Sequence, residues 1–369
     1  MRCESDSAGD AGSVASSGAA NRSWISGSRC DNGAVETLHV AKHQALGNDF
    51  LIALLQPDEQ AAVAASGLAW PALASQICDR SSGIGADGLI LAADTSAMHP
   101  NLAQDACEAN SAAQTKHVQM RLFNSDGSSA EVSGNGLACL VHEVARGLLP
   151  SMKFDDGVES SDHVLELVVD TDGGERRMTL DAELDSDASG SLVLVEPVAH
   201  VRMPSVVPGP SITAELDEQI SESFGNRQRE TGNVGNPHLV INAGRPVDEL
   251  ETARLGPRFE APFPHGINVE FIWSTESDAS TSTAPASIGM SVWERGAGLT
   301  QACGTGAVTA AVLATRWGLV RPSPETTVEM PGGEAIISTD GDDDRPVLSV
   351  PVEHLSDHEW PLHATSLDA

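Results

Sequence analysis

The feature that most constrains this chain is a stretch it carries twice. Ser133-Gly134-Asn135-Gly136 leads into Leu137-Ala138-Cys139-Leu140 and runs on to Arg146-Gly147-Leu148. Cys303-Gly304-Thr305-Gly306 leads into Ala307-Val308-Thr309-Ala310 and runs on to Arg316-Trp317-Gly318-Leu319. Each copy opens with a small nucleophilic side chain, continues with Gly-x-Gly, and then supplies about three turns of apolar helix, closed by an Arg at the same place. The copies lie almost half a chain apart. Such spacing predicts two halves built alike, each presenting a hydroxyl or a thiol at a helix N-terminus.

A chain of 369 residues is long enough for two domains with cores of their own. Its charge is lopsided, with 53 acidic against 21 basic residues and a net charge of −32. That balance speaks against nucleic acid and against anionic membrane surfaces, both of which need a basic face. An anionic substrate must then be held by locally placed donors. The apolar runs are far shorter than the ~20 residues of a membrane-spanning helix. Residues 1–36 are rich in Ser, Gly and Ala without the apolar core of a signal peptide, and read as a disordered extension on a cytoplasmic protein. The six cysteines (3, 30, 78, 107, 139 and 303) form no Cys-x-x-Cys pair, and His-Glu-x-x-His is absent, so no metal site is expected.

Along the chain, residues 37–56 read as two strands joined at Gly47-Asn48-Asp49, and 58–79 as helical. A glycine-rich turn, Gly83 to Gly88, feeds a strand at 89–92. Residues 94–117 and 274–287 read as insertions, and 151–163 as a linker. Further short strands fall at 120–124, 164–169, 178–184, 192–195, 239–241, 268–273, 326–329, 335–338 and 347–350. The expected fold is α+β: two pseudo-symmetric domains, each a curved, mostly antiparallel sheet wrapped around a central helix, with the active site in the cleft between them. The expected bounds are 37–155, with about 352–369 returning to it, and 156–351.

A Cys at a helix start followed by Gly-x-Gly has definite chemistry. Free backbone N–H groups there bind an anion, and the positive helix end favours a thiolate. A carboxylate docked on those N–H groups puts its α-carbon near the sulfur, and the same donors stabilise the charge that develops when the α-proton leaves. Two such sites facing one cleft address both faces of one carbon, as in a racemase or epimerase that needs no cofactor.

Several motifs, in order, are similar to those of the diaminopimelate epimerase family over about residues 38–360. They are Gly47-Asn48-Asp49-Phe50, Gly83 to Gly88, Phe123-Asn124-Ser125-Asp126-Gly127-Ser128, Ser133 to Gly136, Gly235-Asn236-Pro237-His238, Asn268-Val269, Glu294 to Gly298, and Ala302 to Ala307. The resemblance implies conversion of LL-diaminopimelate to meso-diaminopimelate, for lysine and peptidoglycan biosynthesis, and a homodimer. It implies Asn48, Asn124, Asn236 and Asn268 as substrate-binding amides, and Arg295 as the clamp on the distal carboxylate. It also implies Glu294 as a partner of the substrate amine, Gly134-Asn135 and Gly304-Thr305 as cradles for the reacting carboxylate, Cys303 as a catalytic base, and His238 close by. Ser133 departs from the pattern, which has a second catalytic Cys there. A hydroxyl holds its proton far more tightly than a thiol of pKa ~8.5. The alternatives left open are a one-base isomerase or dehydratase, and a non-catalytic amino-acid binder of the same fold. Cys139 reads as a core thiol.

Overall fold

A computed structural model of the chain describes residues 37–67, 69–95, 114–149, 165–186, 192–275, 286–339 and 345–362. The N-terminal extension, the linker at 151–163, most of the two insertions and the acidic turn at 340–344 lie outside the described residues. The first half runs through β1 (Thr37–Ala45), β2 (Asn48–Leu54), α1 (Pro57–Ser66), α2 (Trp70–Ile77), β3 (Gly88–Asp94) and β4 (Gln114–Asn124). It continues through β5 (Ser129–Ala130), α3 (Gly134–Leu148), β6 (Leu165–Thr171), β7 (Gly174–Ser186) and β8 (Leu192–Arg202). The second half runs through β9 (Val207–Pro208), α4 (Ala214–Phe224), β10 (Arg229–Asn233), β11 (Pro237–Asn242), α5 (Glu249–Glu260), β12 (Asn268–Ser274) and β13 (Ala286–Glu294). It ends with β14 (Gly298–Thr300), α6 (Gly304–Arg316), β15 (Glu325–Met330), β16 (Gly333–Ser338) and β17 (Val347–Pro351). A last strand, β18 (Glu353–Pro361), returns to pair with β1.

Strand pairing shows the duplication directly. In the first half β2–β3 and β4–β6 are parallel, while β1–β2, β3–β4, β6–β7 and β7–β8 are antiparallel. The second half repeats this pattern: β11–β12 and β13–β15 are parallel, and β10–β11, β12–β13, β15–β16 and β16–β17 are antiparallel. Among the described residues, the two sets join through one antiparallel pairing, β8 with β17. The change of half therefore falls after Arg202 rather than at residue 156, because β6 pairs with β4 and α3 packs on β7 and β8. Periodicity alone marks 164–169 as a strand without saying which helix it covers.

Each central helix is apolar on nearly every side, as a helix enclosed by its own sheet must be. Every residue of α3 except Arg146 is buried, and α6 is buried from Gly304 through Ala311. Both contribute to one hydrophobic cluster, which includes Leu348 of β17 at the seam. Separate clusters back each sheet, under α1 and α2 in one half and under α4 and α5 in the other. The expectation of one long helix per half omits α4 and α5. Their N-cap signals are present: Thr213 Oγ1 accepts from Leu216 N–H at 3.2 Å, and Asp248 Oδ1 from Glu251 N–H at 2.8 Å. Among the described residues, no helix is long and apolar enough to cross a membrane.

A buried polar cluster ties α3 to the strands at the edge of the first half. His43 of β1 places Nδ1 3.2 Å from Nδ1 of His142 and Nε2 2.8 Å from Glu143 Oε2. Arg146 donates to Glu143 at 2.6 Å and to Asp357 of β18 at 3.3 Å, and His354 of β18 stacks edge-on against His43. Burial lowers both His43 and His142, the latter to about 2, so His142 stays neutral in the folded protein. A lowered histidine is protonated more readily in the unfolded chain, so its contribution to stability is lost as pH falls below ~6.5. Glu270 and Glu294, raised by burial, act in the opposite sense, so the comparison must be with a variant. Between pH 6.5 and 5, the slope of unfolding free energy with pH should be smaller in His142→Gln than in the parent chain, by up to ~1.4 kcal/mol per pH unit. Equal slopes in urea titrations would show that His142 is not held neutral.

Candidate active site

The two Gly-x-Gly turns meet across the seam. Ser133 caps α3 with φ −134° and ψ 125°, and Cys303 caps α6 with φ −135° and ψ 108°. Ser133 Oγ accepts from Gly136 N–H at 3.1 Å, and Cys303 Sγ accepts from Gly306 N–H at 3.4 Å. The same backbone thus carries oxygen in one half and sulfur in the other. Gly134 and Gly304 are required by close approach, since a Cβ on either would lie 2.7 or 2.9 Å from Cδ2 of Leu348 and 3.4 Å from the facing glycine's Cα. With nothing between them, both helix starts direct unused N–H groups toward the same space.

That space is a cleft of about 770 Å³ lined by both halves. Ser133, Gly134, Asn135, Cys303, Gly304 and Thr305 form its floor, and Asn48, Asn124, Asn236, Asn268, Glu294 and Arg295 stand around it. His238 lies beneath the floor, fully buried. The amides are held in matching ways. Asn135 Nδ2 donates to Asn48 Oδ1 at 2.7 Å, and at the equivalent place Asn236 Nδ2 donates to Thr305 Oγ1 at 3.2 Å. Asn268 Oδ1 accepts from Arg295 N–H at 2.8 Å, and Asn124 Nδ2 donates to Ser128 Oγ at 2.9 Å. Asn135 Oδ1 is buried without a partner and borders the meeting point of the two helices.

Charge on the cleft wall is paired across the halves. Arg295 reaches Glu131, which precedes α3, at 3.1 Å. Glu294 Oε1 accepts from the Thr300 hydroxyl at 2.6 Å, and burial pushes its carboxyl up. Behind Asn48, Asp49 is held below the usual carboxylate range by hydrogen bonds from Arg80 and Lys42, which outweigh its burial.

Cys303 departs from the thiolate expected at a helix start. Burial raises it well above an ordinary thiol, and the charges of Glu294 and Glu270 add to this. The Thr305 hydroxyl and the Gly306 N–H act the other way and do not prevail. Desolvation of Cys303, a residue only 4 % exposed and flanked by two acids, outweighs the partial charge of one helix end. Glu270 and Glu131 are functional candidates missing from the sequence reading. Glu270 left a signal, a lone charge inside the apolar strand Asn268-Val269-Glu270-Phe271-Ile272; Glu131 left none. Alkylation of Cys303 by iodoacetamide in the unliganded protein should rise with an inflection above pH 9, read by mass spectrometry. An inflection near pH 7 would show that the helix end prevails.

Comparison with known proteins places this architecture. The family model described as diaminopimelate epimerase matches residues 40–189 and 231–353. A diaminopimelate epimerase of Desulfitobacterium hafniense is 31% identical over 322 residues, covering 86% of this chain and 96% of that protein. One from Geobacillus thermodenitrificans is 32% identical over 294 residues, covering 77% and 84%. Among solved structures, a hydroxyproline epimerase of Agrobacterium vitis, with 12% identity, superposes with a TM-score of 0.53 over 89% of this chain and 94% of that one, which shows a shared fold. A probable proline racemase of Agrobacterium radiobacter superposes with a TM-score of 0.52 at 14% identity, covering 90% and 95%. The matched stretches contain both Gly-x-Gly helix starts and the strands that carry the cleft amides, and on that coverage the chain belongs to the diaminopimelate epimerase family.

Proposed function

We propose that this chain is a cytoplasmic enzyme that epimerises LL-diaminopimelate to meso-diaminopimelate without a cofactor; its relatives are named diaminopimelate epimerases. The observation that carries this reading is the pair of helix N-termini, alike in backbone and facing one cleft. The reacting carboxylate sits on the first-turn N–H groups of Gly134-Asn135 and Gly304-Thr305, which also stabilise the charge formed when the α-proton leaves. The asparagines orient the zwitterion, because an amide both donates and accepts. The substrate ammonium docks beside Glu294. Its positive charge offsets the acids that raise Cys303, so the thiol yields its proton when substrate is present.

Cys303 then removes the α-proton from one face, and the opposite face receives a proton through Ser133. A serine hydroxyl is a poor base but a competent donor when a water restores its proton. In the reverse direction that face must lose a proton to hydroxyl and water, which makes it the slower side. The distal carboxylate takes Arg295, displacing Glu131.

Substrate incubated with the protein in deuterated water tests the scheme. Deuterium at the reacting carbon in both stereoisomers supports epimerisation. Label in one stereoisomer alone would establish a one-base reaction, and none would leave a binding protein. Cys303→Ala should abolish exchange, and Ser133→Cys should raise turnover by about tenfold or more by supplying a usable base. Glu131→Gln should lower KM for diaminopimelate several-fold with little change in kcat, since it frees Arg295 without touching the reacting carbon. An unchanged KM would show that Glu131 does not compete for that guanidinium.

A further inference from the structure

The pseudo-symmetry allows each residue beneath one helix start to be compared with its counterpart beneath the other. Under α3, Phe50 of β2 pairs with Gly88, and Ile90 lies two residues further along β3. Under α6, His238 of β11 pairs with Asn268, and Glu270 lies two residues further along β12. The helices confirm the match: a Cβ on Gly136 would come 3.2 Å from Ile90 Cδ1, and one on Gly306 would come 2.7 Å from Glu270 Oε1. The fold thus places two apolar side chains beneath Ser133 and two ionisable ones beneath Cys303.

The ionisable pair is tightly joined. His238 Nδ1 lies 2.6 Å from Glu270 Oε1, and both side chains are fully buried. Asn236 gives its Nδ2 to Thr305, so its Oδ1, 3.0 Å from His238 Nε2, receives that ring's N–H. With Nε2 protonated, one proton lies between Nδ1 and the Glu270 carboxylate. Glu270 Oε2 has no hydrogen-bond partner. A ring nitrogen of His238, a carboxylate oxygen of Glu270 and the Cys303 sulfur lie within 4.8 Å of one another, so the pair lies close to the sulfur. A chain of hydrogen bonds also holds His238 in place relative to the sulfur, through Asn236 and Thr305, whose Oγ1 is 3.4 Å from Sγ. Apart from this pair, Glu294 is the titratable group that faces the sulfur.

We infer that Glu270 is a positioning residue for Cys303: through His238 it keeps a proton beside the sulfur, while the Ser133 side is built without a counterpart. The inference deepens the epimerase reading and rests on it for its catalytic meaning. Burial makes the Glu270 carboxyl hold its proton more firmly than an ordinary carboxylate, and where it ionises its charge opposes ionisation of the thiol. Cys303 and Glu270, packed this closely, therefore titrate as two coupled steps.

Glu270→Gln tests this without disturbing the fold, because the amide can donate to His238 Nδ1 in place of the shared proton. Alkylation of Cys303 in the unliganded protein, followed against pH, should show a broad or two-step inflection in the parent. In Glu270→Gln it should become a single step about one pH unit lower, since a like charge near the sulfur is gone. Epimerisation should fall about tenfold in kcat with KM within about twofold, and its alkaline limb should move with the alkylation profile. Glu270→Asp, which keeps the charge but shortens the reach to His238, should keep the high inflection and still lose kcat. A thiol introduced by Ser133→Cys should titrate in one step that Glu270→Gln does not move. An alkylation profile unchanged in Glu270→Gln would overturn the inference, as would a two-step profile for the introduced thiol. Absence of turnover in the parent would overturn the epimerase reading alone, because the alkylation profile needs no turnover.

Discussion

The structure depends on two helix N-termini brought into contact. A helix start leaves N–H groups without partners, and burying it is costly unless something accepts from them. Here the cap side chains Ser133 and Cys303 take one N–H each, and the rest face a cleft that an anion can enter. Two consequences follow from that arrangement. Glycines must stand where the turns touch, and the sheets must be wound so that each helix is enclosed and only its first turn is open. The repeated strand pattern and the single β8–β17 seam are the way one chain satisfies both demands.

Much of this was legible in the residues. The Gly-x-Gly repeats marked both helices to within two residues of their observed starts, and the asparagines that line the cleft all fall in the motifs, whereas the Gln301 amide does not. Most strands of the sheets followed from short apolar runs, but β13, which pairs with both β12 and β15, did not. What stayed hidden had identifiable causes. The helices α4 and α5 are polar outside and short of apolar residues, so their caps were the main cue. The strand β18, with its alternating exposure, lies at an edge and holds few large apolar side chains. The boundary after Arg202 depends on which helix a strand covers, which is a tertiary fact. The state of Cys303 could not be read from its helix position, because burial and two acids from distant strands decide it.

The asymmetry of the site runs deeper than the single exchange of sulfur for oxygen. If Ser133 were the sole difference, the two halves would still offer equivalent surroundings to whatever stood there. Instead the second half sets an acid and an imidazole beneath its cap, and the first half sets an aromatic ring and an aliphatic chain. Among the described residues, a hydroxyl above Phe50 and Ile90 has no acid or imidazole placed beneath it as Glu270 and His238 are beneath Cys303. Proton traffic on that side has to pass through the open cleft.

Leu348 lies where the two halves join, and one of its methyl groups touches both cradles at once. A residue in such a place serves two masters: any change in its size alters the spacing of both helix starts together and cannot favour either. The halves of a duplicated protein are free to diverge in the strands, where each residue belongs to one side, but near the axis every substitution is counted twice. The shared methyl therefore sets the gauge of the cleft, while the chemistry of each face is written elsewhere.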